Sequence, residues 1–206
     1  MAKTILGIVG SYRKNGIIDC LVTEALLSAE ALGAVTKKIY LADAHIEFCT
    51  NCRHCMQAPG SERGKCIHSD DMEAILKEWE KCDGLIIGSP VNFYNVTAIT
   101  RKFMERLIGY AYWPWGHPSP TMRSKKKDKA AVLITASAMP AFLGRVFTGA
   151  ARALKITAET MGAKPVKTIF AGLVAQQEQS FPSAKVIRQA QAAGRLLAGG
   201  DGKFSG

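Results

Sequence analysis

The stretch KTILGIVGS, Lys3 to Ser11, decides the fold class. It is a short apolar run that ends in Gly-Ser. Continuous apolarity over so few residues reads as a strand buried on both faces, the kind found in parallel sheets. A polar loop follows, and then Ile18 to Leu32, with Leu21, Ala25, Leu26, Ala29 and Leu32 at helical spacing. Gly33 sits where that helix would stop.

The same unit recurs outward along the chain. AVTKKIYLA (34–42) is a second, more alternating strand. Ser69, Asp70 and Asp71 supply capping and first-turn acid for a helix to about Lys81, with Ile75, Leu76 and Trp79 on one face. GLIIGSP, Gly84 to Pro90, is the third strand, stopped by its proline. Thr97 to Gly109 reads as a helix. Tyr110 to Lys129 reads as loop, with three prolines and two of the three tryptophans. Ala130 to Ala138 is a fourth strand, Ala150 to Met161 a helix ended by Gly162, KPVKTIFAGL (164–173) the fifth strand, and Ser183 to Leu197 the last helix. Such alternation calls for one parallel sheet with right-handed crossovers and helices on both faces. Five strands point to the flavodoxin-like order 2-1-3-4-5. The expected organisation is a single domain over 1–206, carrying a cysteine-rich loop at about 45–68.

Composition agrees. The chain has 206 residues, of which 48% are hydrophobic, enough for one sizeable core and too apolar for global disorder. No run of eighteen apolar residues is present, so no membrane partner is expected. The segment MAKTILGIVGSYRKNG lacks the apolar region and cleavage site of a signal peptide, which reads as cytoplasmic, where thiols stay reduced. Formal net charge is +10. The charge is scattered except for RSKKKDK, Arg123 to Lys129. No nucleic-acid motif accompanies that run, so a solvated loop is expected and no nucleic-acid partner.

In an open α/β sheet, ligands bind beyond the carboxyl ends of the strands, where strand order reverses. The loops there are GSYRKNGIID, SPVNFYNVT and TASAMPAF. The first lacks the spacing of a Walker A loop and the three glycines of a dinucleotide fingerprint. It does precede a helix N-terminus, with the Ser11 hydroxyl, the charges of Arg13 and Lys14, and Gly16 for close approach. On pattern alone, a phosphate cradle and an ordinary polar turn stand level.

Four of six cysteines fall in FCTNCRHCMQAPGSERGKC, Phe48 to Cys66. Cys49, Cys52, Cys55 and Cys66 are spaced C-x2-C-x2-C-x10-C. Three at two-residue gaps with a distant fourth match the bacterial run that wraps a four-iron, four-sulfur cluster. Zinc, which prefers ligands in two pairs, and free or reversibly oxidised thiols are the alternatives. His54 and His68 lie in the same loop and are alternative ligands. Cys20 and Cys82 fall on predicted helices and read as filler. No nucleophile elbow and no His-Glu-x-x-His occur, so no catalytic side chain is assigned.

Taken together, GSYRKNG, GSPVNFYNVTAITRKFMERL and CTNCRHC with GKCIHSDDM resemble the NADPH-dependent FMN reductase superfamily, and within it the iron–sulfur flavoprotein-like branch. The resemblance runs by motif from Lys3 to Gly109 and by element order beyond. Lys102, Glu105 and Arg106 occupy the family's Lys-x-Phe/Leu-x-Asp-Arg stretch. Ile17 and Ile18 stand where the family usually has Asn-Thr, Asn92 replaces its Tyr, and its fourth cysteine usually comes sooner.

The resemblance implies FMN, with its phosphate on Ser11, Arg13, Asn15, Gly16, Ile17 and Ile18, the isoleucines through backbone N–H alone. The ring would lie against Pro90, Val91, Asn92, Phe93 and Asn95, with Ala136, Ser137 and Ala138 closing the far side. It also implies NADPH or NADH as donor, a [4Fe-4S] cluster on the four cysteines, and a small-molecule or protein electron acceptor. The function expected is an NAD(P)H-dependent FMN oxidoreductase. The alternative is an electron-transfer protein with flavin and iron–sulfur centre but no nicotinamide site. A homodimer or homotetramer is expected, with Tyr110, Tyr112, Trp113 and Trp115 at the interface or folded back on their own domain.

Overall fold

The computed structural model describes residues 2–175 and 181–199. Five parallel strands form one sheet: β1 (Thr4–Val9), β2 (Val35–Tyr40), β3 (Gly84–Pro90), then β6 (Lys129–Ala136) and β7 (Ala163–Ala171). A two-residue antiparallel pair, β4 (Ala111–Tyr112) and β5 (Thr121–Met122), accounts for the intervening numbers. The order β2-β1-β3-β6-β7 is the expected 2-1-3-4-5 once that small pair is set aside. β2, the more alternating strand, lies at the sheet edge, while β1 and β3 are buried almost throughout.

Alternation within the central strands feeds two cores. Leu6, Ile8, Leu85, Ile87 and Leu133 face one side, packing on α2 (Asp71–Glu80), α3 (Ala98–Glu105) and α5 (Ala150–Thr160). Ile5, Val9, Ile86, Val132 and Ile134 face the other, packing on α1 (Ile17–Glu30) and α6 (Ala184–Ala198). Among the described residues no helix is long and apolar enough to cross a membrane.

Two segments differ from expectation. The helix from Thr97 gives way at Arg106 to a 3-10 turn through Tyr110, and the loop beyond it contains the β4–β5 pair. A further helix, α4 (Ala141–Phe147), had no sequence signal. Its Phe142, Val146 and Phe147 are all exposed, so it lacks the buried apolar stripe that periodicity detects.

Candidate functional site

The carboxyl ends of β1, β3 and β6 are adjacent: Val9 lies opposite Gly88, and Pro90 opposite Ala136. The three expected loops therefore meet at one end of the sheet. Short hydrogen bonds join them. Gly10 N–H donates to Gly88 O at 2.7 Å, and Val91 N–H to Ala136 O at 2.7 Å. Thr97, the buried N-cap of α3, donates through Oγ1 to Gly10 O at 2.7 Å. Thr100 Oγ1 donates to the same carbonyl at 3.2 Å. A Cβ on Gly10 would fall 2.0 Å from Thr100 Oγ1, so only glycine permits this closure.

Within the first loop, Ser11 Oγ accepts from Arg13 N–H at 3.1 Å, and Asn15 is left-handed at φ 61°. Gly16 caps α1 without a side-chain bond, so the first helical amides have no intrahelical acceptor. The Ile18 side chain is buried in the core, leaving its backbone as the part that faces the loop. Lys14 is paired with Asp43 at 2.8 Å, whereas Arg13 is exposed. Asp19 accepts from Asn15 N–H at 2.7 Å, from Lys38 at 3.0 Å and from Tyr40 Oη at 2.9 Å. Burial pushes its pKa up, but these donors outweigh that and hold it below the usual carboxylate value. Its charge is spent beneath the loop.

The second loop turns on a tight bridge between Asn92 and Asn95. Phe93 and Tyr94 at its tip are both left-handed, at φ 46° and 64°, and Phe93 is 95% exposed. Bulky residues seldom adopt this conformation, and such strain concentrates at functional sites. Of the three third-loop residues expected at the ring, Ala136 and Ser137 are buried and Ala138 is exposed.

The cysteines form a second region. Asn51 and Arg53 are left-handed, at φ 52° and 60°, and throw the chain into a 3-10 turn over His54–Met56. Met56 is fully buried and anchors the turn. Cys66 returns after ten residues because Gly64 presses on the turn. Gly64 N–H donates to Gly109 O at 2.9 Å, and a Cβ on Gly64 would lie 1.7 Å from Cys55 O. Arg123 fastens the far side, donating to Cys55 O and Gly60 O at 3.1 Å each. Arg53 lies between the rings of Trp113 and Trp115, at 3.9 and 4.2 Å from their centroids, and donates to Trp113 O at 2.6 Å. The aromatic loop thus clamps the cysteine loop.

Behind the cysteines is a buried ion pair. Arg106 donates through both Nη atoms to Asp70, and also to Glu47 O at 2.8 Å. Their side chains are 2% and 0% exposed. Asp70 also caps α2 through Met72 N–H at 3.1 Å. Burial opposes both charges, and the pairing overcomes it. Asp70 is held below the usual carboxylate value, and Arg106 is raised by Asp70 and the nearby Cys66 sulfur.

All four predicted cysteines line one cavity, together with Arg53, His68 and Arg106. Among the described residues no three His, Cys, Asp or Glu side chains converge closely enough to hold a single metal ion. The Cys55 thiol is pushed up by burial, and further by Cys66, Cys49 and Cys52.

A model of the family described as NADPH-dependent FMN reductase matches residues 4–173. The chain belongs to that family. Curated relatives include an iron-sulfur flavoprotein of Archaeoglobus fulgidus, 33% identical over 58% of this chain and 50% of the relative. One from Methanocaldococcus jannaschii is 40% identical over 50% of each. The chain spans about half the length of the curated relatives it matches. Among solved structures, an NAD(P)H:quinone oxidoreductase from Methanothermobacter marburgensis superposes with a TM-score of 0.71 at 14% identity, over 96% of this chain and 100% of that one. An FMN-dependent NADH-azoreductase from Bacillus anthracis, in complex with FMN, gives 0.67 at 14% identity over the same shares. At that identity they speak for the fold alone.

Within this FMN reductase frame, the residues present fit the two groups the family branch implies. Uncapped amides at α1 and the exposed Arg13 suit a phosphate. Three residues that line the cysteine cavity each carry a buried nitrogen with no hydrogen-bond partner among the described residues: Arg53 Nε, His68 Nε2 and Arg106 Nε. The two arginine Nε–H groups left this way, and His68 Nε2 when it carries the ring proton, suit a group with many acceptor atoms, such as sulfides. Sequence reasoning missed Thr97, Thr100 and the Asp70–Arg106 pair. The Ser/Thr-x-x-Thr of Thr97–Thr100 was a local signal for the first two; nothing local marked the pair.

Proposed function

We propose that the chain is an FMN-containing oxidoreductase that takes electrons from NADPH or NADH and passes them to a small-molecule or protein acceptor. The family match over residues 4–173 carries this reading. The meeting of the β1, β3 and β6 loops at one sheet end supports it. FMN, when bound, supplies hydride acceptance and one- or two-electron release. The chain's part is to bind and orient. Ser11, Arg13, Asn15, Gly16 and the backbone of Ile17 and Ile18 hold the phosphate. Pro90, Val91, Asn92, Phe93 and Asn95 hold one side of the ring, and Ala136, Ser137 and Ala138 border the other. Val91 N–H, spent on Ala136 O, keeps the two ring-binding loops at fixed separation.

Cys49, Cys52, Cys55 and Cys66 are assigned as the ligands of a [4Fe-4S] cluster. The spacing of the four cysteines and their place around one cavity support this assignment. The names of the archaeal relatives support the same reading. Assembly as a homodimer or homotetramer belongs to it as well. Phe93, Phe142, Val146 and Phe147 are exposed around the loop end, where a second copy would cover them.

The test is anaerobic purification, followed by measurement of flavin, iron and sulfide and of steady-state NADPH and NADH oxidation with an artificial acceptor. About one FMN and about four irons per chain, with turnover, are expected. Flavin and iron without nicotinamide oxidation would leave an electron-transfer protein instead. Absence of flavin would overturn the reading.

A further inference from the structure

Among the described residues, five buried side-chain polar atoms lack a hydrogen-bond partner: Arg53 Nε, His68 Nε2, Arg106 Nε, Tyr110 Oη and Thr135 Oγ1. Three of the five belong to residues that line the cavity of the four cysteines. Native proteins rarely leave such groups unpaired without a reason. Each of the two arginines is also held so that it cannot turn away. Arg53 is stacked between Trp113 and Trp115, with Nη2 on Trp113 O. Arg106 spends Nη1 on Asp70 and Glu47 O, and Nη2 on Asp70, which leaves Nε as its one nitrogen without an acceptor.

We propose that Arg53, His68 and Arg106 form a ring of nitrogen donors to the sulfur atoms of the group held by Cys49, Cys52, Cys55 and Cys66, and that Arg106 sets how readily this group takes an electron. The inference rests on the cluster reading above. One-electron reduction adds one negative charge to the group and strengthens its sulfurs as acceptors. A guanidinium and N–H donors beside it therefore stabilise the reduced form more than the oxidised one and raise the potential. Asp70 acts through Arg106: it fixes the guanidinium fork by taking the Nη atoms, and its own charge offsets part of the field from behind. Asp70 is thus a positioning residue, whereas Arg53, His68 and Arg106 contact the group directly, and none of the four need exchange a proton.

The experiment uses the full chain, reconstituted anaerobically with iron and sulfide. Iron is counted. The midpoint potential is then measured by dye-mediated titration with dithionite, followed by visible absorption and electron paramagnetic resonance. Arg106→Gln is expected to shift the reduction equilibrium at least tenfold toward the oxidised form, ~59 mV for a one-electron couple. Arg106→Lys should recover part of the shift, since it keeps the charge and loses the planar fork. Arg106→Gln also strips the buried Asp70 carboxylate of its counter-charge and risks unfolding. Arg53→Lys, which keeps a cation between the two indoles, and His68→Leu test the ring independently of that pair. In the chains that take up iron, each should lower the potential by a smaller step. Full iron uptake with unchanged potential in both would overturn the donor ring while leaving the cluster reading intact. Loss of iron from both, with the fold kept, would also overturn it, because the two residues would then be supports of the cavity. Failure of the wild type itself to take up iron would remove the cluster reading, and the ring with it.

Discussion

At the carboxyl ends of β1, β3 and β6 the candidate site is made of backbone: uncapped amides at α1, a Gly10 carbonyl tied to Thr97, a two-residue turn at Phe93 and Tyr94. Between β2 and α2 it is made of side chains: Arg106 on Asp70, Arg53 between two indoles, Arg123 on the Cys55 carbonyl. The first region takes its shape from the sheet and is placed by topology. The second is loop with two short 3-10 turns and the N-terminus of α2 against it, and charged side chains spanning tens of residues hold it closed. Losing one side chain should therefore damage the second region more than the first.

Asp70→Ala tests that contrast most severely. It removes one partner of a buried pair and the cap of α2, and should cost about 3–5 kcal/mol in urea denaturation. Asp70 and Asp19 are both held below the unfolded value of 3.8. Their stabilisation is therefore present above that pH and lost as pH falls through their lower folded values. The gap between wild type and Asp70→Ala should narrow as the pH drops below ~4. A gap constant down to pH 2 would show that Asp70 acts through packing instead of charge.

Arg13→Glu addresses the backbone-built region. A negative charge against a phosphate should weaken FMN binding by ~10–100-fold, corresponding to the loss of a charged hydrogen bond of ~1.5–3 kcal/mol. Iron uptake on reconstitution should stay at the wild-type level. Unchanged flavin affinity, measured by fluorescence quenching, would move the phosphate elsewhere.

Gly64→Ala is the converse. Its Cβ meets Cys55 O at 1.7 Å, so Cys66 must move away from the other three cysteines. Overpacking of this kind costs ~1–3 kcal/mol. Iron uptake should fall while FMN affinity holds. Equal loss of both would mean that the two regions are one cooperative unit.

Thr97→Ala should give the smallest change, about 1 kcal/mol from the lost cap. It also frees Gly10 O, so FMN affinity should fall slightly, with Thr97→Ser restoring it. A Ser variant no better than Ala would show that the methyl group matters and the hydroxyl does not.

How far each region could be read from the chain follows the same division. Strand order, the two buried central strands and the three loops came from short-range signals: apolar runs, helical spacing, Gly33 and Gly162 as stops. Ser11, Arg13 and Gly16 were candidates because topology says where ligands go in such a sheet. Helix α4 was invisible because its apolar residues face outward. The Asp70 cap was legible, but its use by Arg106, thirty-six residues on, was not.

The sequence by itself determined the alternation of strands and helices, the reversal point of the sheet and the four thiols in one loop, because periodicity, caps and spacing act over a few residues. Only the tertiary structure decided that Cys66 comes back to Cys55, that Arg53 is held by Trp113 and Trp115, and that three residues with buried nitrogens unpartnered among the described residues line the cavity. Those facts depend on how separate elements pack. A buried charge or a missing Cβ can be satisfied by any distant segment that fits, and no local pattern says which.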